Sequence, residues 1–133
     1  MANREIVEQF YRATQAGDGE GILASLHPRF EARVAPGLPS VAGAKFHGPK
    51  AALTGCWGPV AQDYRIAPFA ERWIDAPGDI VIVTGHYRGE ARATGHPVEA
   101  EFAHIWRVSE GKIIHLHQFT DTWQWRTALV PAA

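Results

Sequence analysis

Apolar residues recur at helical spacing from Asn3 to Gln15, where Ile6, Val7, Phe10 and Ala13 share one face and Asn3 is a candidate N-cap. Ala16-Gly17-Asp18 interrupts that pattern. Asp18 is then expected to cap a second, short helix with Ile22, Leu23 and Leu26 on its buried side. His27-Pro28 predicts the end of that helix, because a residue before proline avoids the α region. Phe30 to Val34 reads as a short strand, and three Gly and two Pro between Ala35 and Gly48 predict an irregular loop. Pro49 suits the first turn of a third helix, along which Leu53, Cys56, Trp57 and Val60 form an i, i+3, i+4, i+7 stripe.

After Gln62 the period changes to two. Tyr64 to Ile74, Ile80 to Arg88, Val98 to Val108 and Ile113 to Asp121 are strand candidates, separated by Pro77-Gly78-Asp79, Gly95-His96-Pro97 and Glu110-Gly111. Connections of hairpin length predict a largely antiparallel sheet. Thr122 to Val130 is too short to assign. Helices followed by long strands predict an α+β fold: a curved, mostly antiparallel sheet of five to six strands with three helices from the N-terminal half packed on its concave face. Such a cone leaves a hole, and small-molecule sites form in concave places of that kind.

Composition narrows the functions such a cone could serve. At 133 residues the chain is about one domain, taken here as 1–133, with 46% hydrophobic and 20% charged residues. Thirteen basic residues nearly cancel fourteen acidic ones, so there is no electrostatic footprint for nucleic acid or an anionic membrane. Cys56 is the sole cysteine, no long apolar run exists, and the N-terminus is charged where a signal peptide is apolar; a cytoplasmic location is expected. Five Trp, six Phe, three Tyr and seven His point to a packed aromatic core or a lined pocket.

Three stretches resemble a known family. Phe10 to Gly21 (FYRATQAGDGEG) is similar to the first helix and helix-breaking AGD of ketosteroid isomerase and SnoaL-like proteins. Phe46-His47-Gly48-Pro49 resembles their loop-to-helix segment, and Ala103 to Ile113 (AHIWRVSEGKI) their most recognisable hairpin, with Asp121 in the place of the aspartate that often follows. The resemblance covers nearly the whole chain and implies the cone-shaped nuclear transport factor 2-like fold. It does not fix an activity, because this scaffold hosts isomerases, cyclases, dehydratases, epoxide hydrolases and non-enzymes.

Carried over residue by residue, the resemblance is selective. Phe10 falls where ketosteroid isomerase has an oxyanion-donating tyrosine, and adjacent Tyr11 is turned by about 100° along the helix. The isomerase's base falls near Val34-Ala35, neither of which can act, and its buried acid is replaced by His104. The Asp-Arg-Asp trio of limonene-type epoxide hydrolases keeps only its last member, Asp121, the others falling near His86 and Arg88. SnoaL-like polyketide cyclases use one aspartate with a nearby histidine, and Asp121 with His104 fits that pattern best.

Asp121, His104 and His86 are therefore the candidate catalytic residues. A pocket-facing Asp121 would have its pKa raised by desolvation into a useful range; the alternative is a helix N-cap. His104, sharing a strand face with Phe102 and Trp106, would donate to a developing enolate or hold a proton from Asp121; the alternative is a buried, structurally satisfied histidine. His86, on a face with Ile82, Thr84 and Arg88, would pair with Asp121 across the sheet. His115 and His117 invite a metal reading, but no further ligand motif supports one. Phe10, Trp57, Tyr64, Trp73, Phe102 and Trp106 are candidates for the pocket wall, with Trp123 and Trp125 at its mouth or in a dimer contact.

The leading expectation is an acid/base enzyme of cyclase, isomerase or dehydratase type, needing no cofactor or metal. Its substrate would be a small apolar molecule, cyclic or carbonyl-bearing. A binding module with the same pocket and no turnover is the alternative. A further one is an interaction protein whose exposed sheet face, including Ile113 and His115, covers a partner; a homodimer fits all three.

Overall fold

In the computed structural model, which describes residues 2–132, helix α1 (Asn3–Ala16) buries Ile6, Val7, Phe10, Tyr11 and Ala13. Ala2, rather than Asn3, occupies the N-cap position, and Gly17 ends the helix in the left-handed conformation at φ 67°. Helix α2 (Gly19–Ala24) is capped as expected, the Asp18 carboxylate accepting from the Gly21 N–H. It ends before His27-Pro28, and strand β1 (Leu26–Arg33) runs through the proline, so Leu26 is buried from a strand. Pro28 has no N–H to give a ladder, and the register with the neighbouring strand is irregular between Leu26 and Glu31.

Strand β2 (Lys45–His47) adds an edge to β1, and the third helix follows in pieces. α3 (Pro49–Ala52) widens into a π-turn over Leu53–Trp57 and resumes as α4 (Gly58–Asp63). Pro59 supplies the reason: it cannot donate to the Gly55 carbonyl and its ring would strike it, so the Gly58 N–H reaches back to Leu53 and the turn expands. The expansion leaves Cys56 buried and Trp57 half-buried against Phe10 and Phe30.

Strands β3 (Tyr64–Ala76), β4 (Ile80–Ala91), β5 (Pro97–Ser109) and β6 (Lys112–Thr120) complete a six-stranded sheet in the order β2-β1-β6-β5-β4-β3. Every neighbouring pair is antiparallel except β1 and β6. Curvature has local causes. A bulge sits in β3 between Ala70 and Arg72, and another in β6 near Ile114. At Gly85 a Cβ would lie 2.0 Å from the Phe69 carbonyl oxygen, an approach of strands that only glycine allows. The inner rows, Val81-Val83-Tyr87 on β4 and Ala100-Phe102-His104-Trp106 on β5, are buried beneath α1.

Two further differences from the sequence reading matter. The β6 bulge puts Ile113 on the inner, buried side while His115 stays outside, so the two do not share a face. Thr122–Ala128 forms a helix, α5, that buries Trp125 and leaves Trp123 68% exposed. Among the described residues, no helix is long and apolar enough to cross a membrane.

Candidate active site

Between α1, the α3–α4 segment and the inner face of the sheet lies a cavity of about 980 Å³. Its wall is mostly apolar: Phe10, Trp57, Val60, Tyr64, Trp106 and Trp125 all face it. Tyr64 and Trp125 meet edge-on at 5.0 Å, and the Tyr64 hydroxyl donates to the Trp125 carbonyl at 2.7 Å, which docks α5 against the start of β3.

The polar groups of the floor form one continuous network. Trp106 Nε1–H donates to the Tyr11 hydroxyl at 2.9 Å, and that hydroxyl lies 2.7 Å from His104 Nδ1. The other ring nitrogen, Nε2, lies 2.7 Å from the Tyr87 hydroxyl. Gln118 Nε2–H donates to the Tyr87 oxygen at 2.7 Å, while Gln118 Oε1 accepts from the Ala35 N–H at 3.3 Å. A backbone N–H can only donate, so this last bond fixes which end of the Gln118 amide points at Tyr87.

Five elements of structure place these groups: α1 carries Tyr11, β4 Tyr87, β5 His104 and Trp106, β6 Gln118, and the loop after β1 Ala35. His104 is 2% exposed and sits between stacked Phe102, 4.0 Å away, and the Tyr11 ring. Burial holds its imidazole far below the usual value, down to about 3, so the ring is neutral at physiological pH. Desolvation likewise pushes both Tyr11 and Tyr87 well above the ordinary phenol range, and Cys56 in the wall up to about 12. The floor is thus polar but uncharged. Glu90 is the one carboxylate lining the cavity among the described residues, and it pairs with Arg65 at 3.5 Å.

The residues singled out from sequence are not brought together. Asp121 is exposed at the N-cap position of α5, outside the cavity wall; its carbonyl accepts from the Gln124 N–H, and its side chain makes no capping bond. His86 is on the outer face of the sheet, 2.7 Å from Glu71 Oε1, because residues on a strand alternate in direction and Tyr87 takes the inner side. Of the three, only His104 lines the cavity. Among the wall candidates, Phe10, Trp57, Tyr64 and Trp106 line it. Phe102 lies behind His104, and Trp73 packs edge-on against Tyr11 at 5.7 Å with the Arg4 guanidinium 4.7 Å from its ring, away from the cavity. His115 and His117 are on the outer face, with no cluster of three possible metal ligands among the described residues.

Tyr11, Tyr87 and Gln118 were not singled out from sequence as site residues. Phe10 falls at the position of the isomerase tyrosine, yet both Phe10 and Tyr11 are buried and it is the Tyr11 hydroxyl that reaches His104. The available signal for Tyr87 was the alternation Val81-Val83-Gly85-Tyr87, opposite in phase to the face carrying His86.

A curved sheet closed by helices over a polar-floored apolar cavity defines a conical pocket protein of the nuclear transport factor 2-like class. The SnoaL-like domain profile matches residues 7–116, and the chain belongs to that family. A nuclear transport factor 2-like protein of Burkholderia thailandensis is similar over 98% of this chain and 99% of its own, at 31% identity and a TM-score of 0.86. TerC, crystallised with polyporic acid, aligns over 95% and 96% at 23% identity with a TM-score of 0.84. IdmH, a proposed polyketide cyclase of Streptomyces antibioticus, aligns over 97% and 99% at 19% identity with a TM-score of 0.79. No functionally curated protein matches the chain.

Proposed function

We propose that this protein takes a small, largely apolar, cyclic or carbonyl-bearing molecule into the cavity and transforms it by proton transfer without a cofactor, as a cyclase, isomerase or dehydratase. The observation that carries the reading is His104. It is neutral, borders the cavity, and is hydrogen-bonded through both ring nitrogens to phenols, of which Tyr87 also lines the cavity. A neutral imidazole held this way can gain a proton at one nitrogen while losing one at the other. The proton it gives to Tyr87 as Tyr87 protonates a ligand oxygen is made up from Tyr11, whose oxygen the Trp106 Nε1–H faces, and the proton leaving the ligand carbon goes to cavity water. The role expected of Asp121 passes to His104 in this reading. Support for the small-molecule part comes from the cavity's lining and from TerC, which has the same fold and was crystallised with polyporic acid.

A non-catalytic binding module is the second reading, favoured by the lack of a carboxylate on the floor among the described residues. One experiment separates the two. Cyclic ketones that raise the melting temperature are incubated with the protein in D2O, and exchange at the carbon beside the carbonyl is followed by NMR. Exchange in the wild type that is lost in His104→Gln, with binding retained, supports catalysis. Binding without exchange in the wild type leaves the binding module.

A further inference from the structure

The network on the cavity floor holds one hydroxyl hydrogen more than its own bonds can use. Trp106 at one end and Gln118 at the other can only donate to the tyrosine they face. The two remaining bonds, Tyr11 to His104 and His104 to Tyr87, need two hydrogens. Three are available: one on each phenol and one on the neutral imidazole. One tyrosine hydrogen is therefore left without an internal acceptor, and the His104 tautomer decides which.

With the proton on Nδ1, the ring donates to Tyr11 and accepts from Tyr87. The Tyr11 oxygen then accepts twice, and its own hydrogen points into a box formed by Phe10, Trp73, Phe102 and Trp106. The Tyr11 hydroxyl has no other polar partner among the described residues, and it does not line the cavity. A buried donor with no acceptor is costly, and more so than one that can reach water. With the proton on Nε2, Tyr11 donates to Nδ1 and every group around it is paired. The hydrogen left over is then that of Tyr87, which lines the cavity, where water or a ligand can accept it.

We infer that His104 carries its proton on Nε2, and that Tyr87 thereby presents its hydroxyl hydrogen to the cavity as a donor awaiting an oxygen acceptor, so that the ligand is one that brings a ketone, quinone or enolate oxygen to Tyr87. The Tyr87 oxygen, accepting from both His104 Nε2–H and Gln118 Nε2–H, is polarised toward donation. The inference rests on the cavity being the ligand site, as proposed above, but it requires no turnover.

Two measurements test it. In protein labelled with 15N-histidine, a long-range 1H–15N correlation at neutral pH shows a protonated Nε2 and a bare Nδ1 for His104; the reverse assignment overturns the inference. For the ligand, 1-tetralone and tetralin, which differ by a carbonyl, are titrated against wild type and Tyr87→Phe by tryptophan fluorescence. Tetralone should bind more tightly than tetralin, with a lowered carbonyl stretching frequency. Tyr87→Phe should remove about tenfold of that affinity, the size of one net hydrogen bond, and restore the frequency. If the two probes bind alike, if neither binds, or if the advantage survives in Tyr87→Phe, Tyr87 is not the donor. Proton exchange can fail while both measurements succeed, which separates this inference from the catalytic reading.

Discussion

His104 and Gln118 face each other across the β5–β6 ladder, and the Tyr87 hydroxyl stands 2.7 Å from a nitrogen of each. That bridge joins three strands in the middle of an apolar core, where unpaired polar groups are costly. Extended through Tyr11 to Trp106 on one side and to the Ala35 N–H on the other, it pairs every buried polar side-chain atom it contains. The same arrangement therefore serves stability and leaves a polar face on the cavity.

Replacing His104 with Leu should be among the most destabilising single changes. It removes the acceptor of the buried Tyr11 hydroxyl, a loss of about 1–3 kcal/mol for an unpaired donor, and one of the two donors to Tyr87. Tyr87→Phe should cost less, because the lost hydroxyl borders the cavity, where water can accept from the Gln118 and His104 N–H groups. Urea denaturation of the two variants checks the order; equal losses would mean that the network contributes little beyond packing.

Acid should weaken the fold through the same residue. The folded His104 pKa is depressed to about 3, below an unfolded value of about 6.5, so the unfolded chain binds more protons in between. Its contribution is complete above about pH 6.5 and is lost as pH falls toward 3, at up to about 1.4 kcal/mol per pH unit. Glu71, whose pKa is lowered by hydrogen bonds from His86 and Arg88, titrates in the same direction, so the informative quantity is the wild-type slope minus that of His104→Gln. A zero difference between pH 7 and 4.5 would show that His104 is not held neutral by the fold.

Asp121→Asn should leave both stability and any proton exchange nearly unchanged. The side chain is exposed and makes no capping bond, and surface changes of this kind usually stay within about 0.5 kcal/mol. Asn is also an acceptable residue at an N-cap. Loss of activity with a normal melting temperature would return Asp121 to the mechanism and displace His104 from its proposed role.

These cases show what a sequence can carry. Periodicity and turn residues locate α1 and the four long strands, and residue type the Asp18 cap, because each of these signals is local. Partner identity across the sheet is not local. Counting back from the Glu110-Gly111 turn, where Ser109 pairs with Lys112 and Val108 with Ile113, puts His104 opposite His117. The bulge at Ile114 shifts the register by one and delivers Gln118 instead. Ile113 changed sides for the same reason. On β4 both faces are rich in Ile and Val, so hydrophobicity could not choose between the phase of His86 and that of Tyr87. Helix α5 was illegible because seven residues rarely declare a helix, and its stability comes from Trp125 packed on Tyr64 and Tyr87.

The outer sheet face should bury itself against a second copy of the chain. Cross-strand pairing lines up Ile74, Ile82, Ile105 and His117 in one row, with Phe119, Ala103, Thr84 and Arg72 in the next. Phe119 is 47% exposed there, and Phe69 and Ile74 on the same face are also exposed. Apolar side chains left exposed in adjacent rows are the kind of surface that a self-complementary dimer covers, at about 800 Å² per partner. Sedimentation at micromolar concentration should give a dimer for the wild type and a monomer for Phe119→Glu, since a carboxylate brought to the centre of such an interface would be desolvated without a partner. The cavity lies on the opposite side of the sheet, so the variant should still bind 1-tetralone as the wild type does. A wild type that sediments as a monomer removes the dimer and leaves the pocket reading untouched.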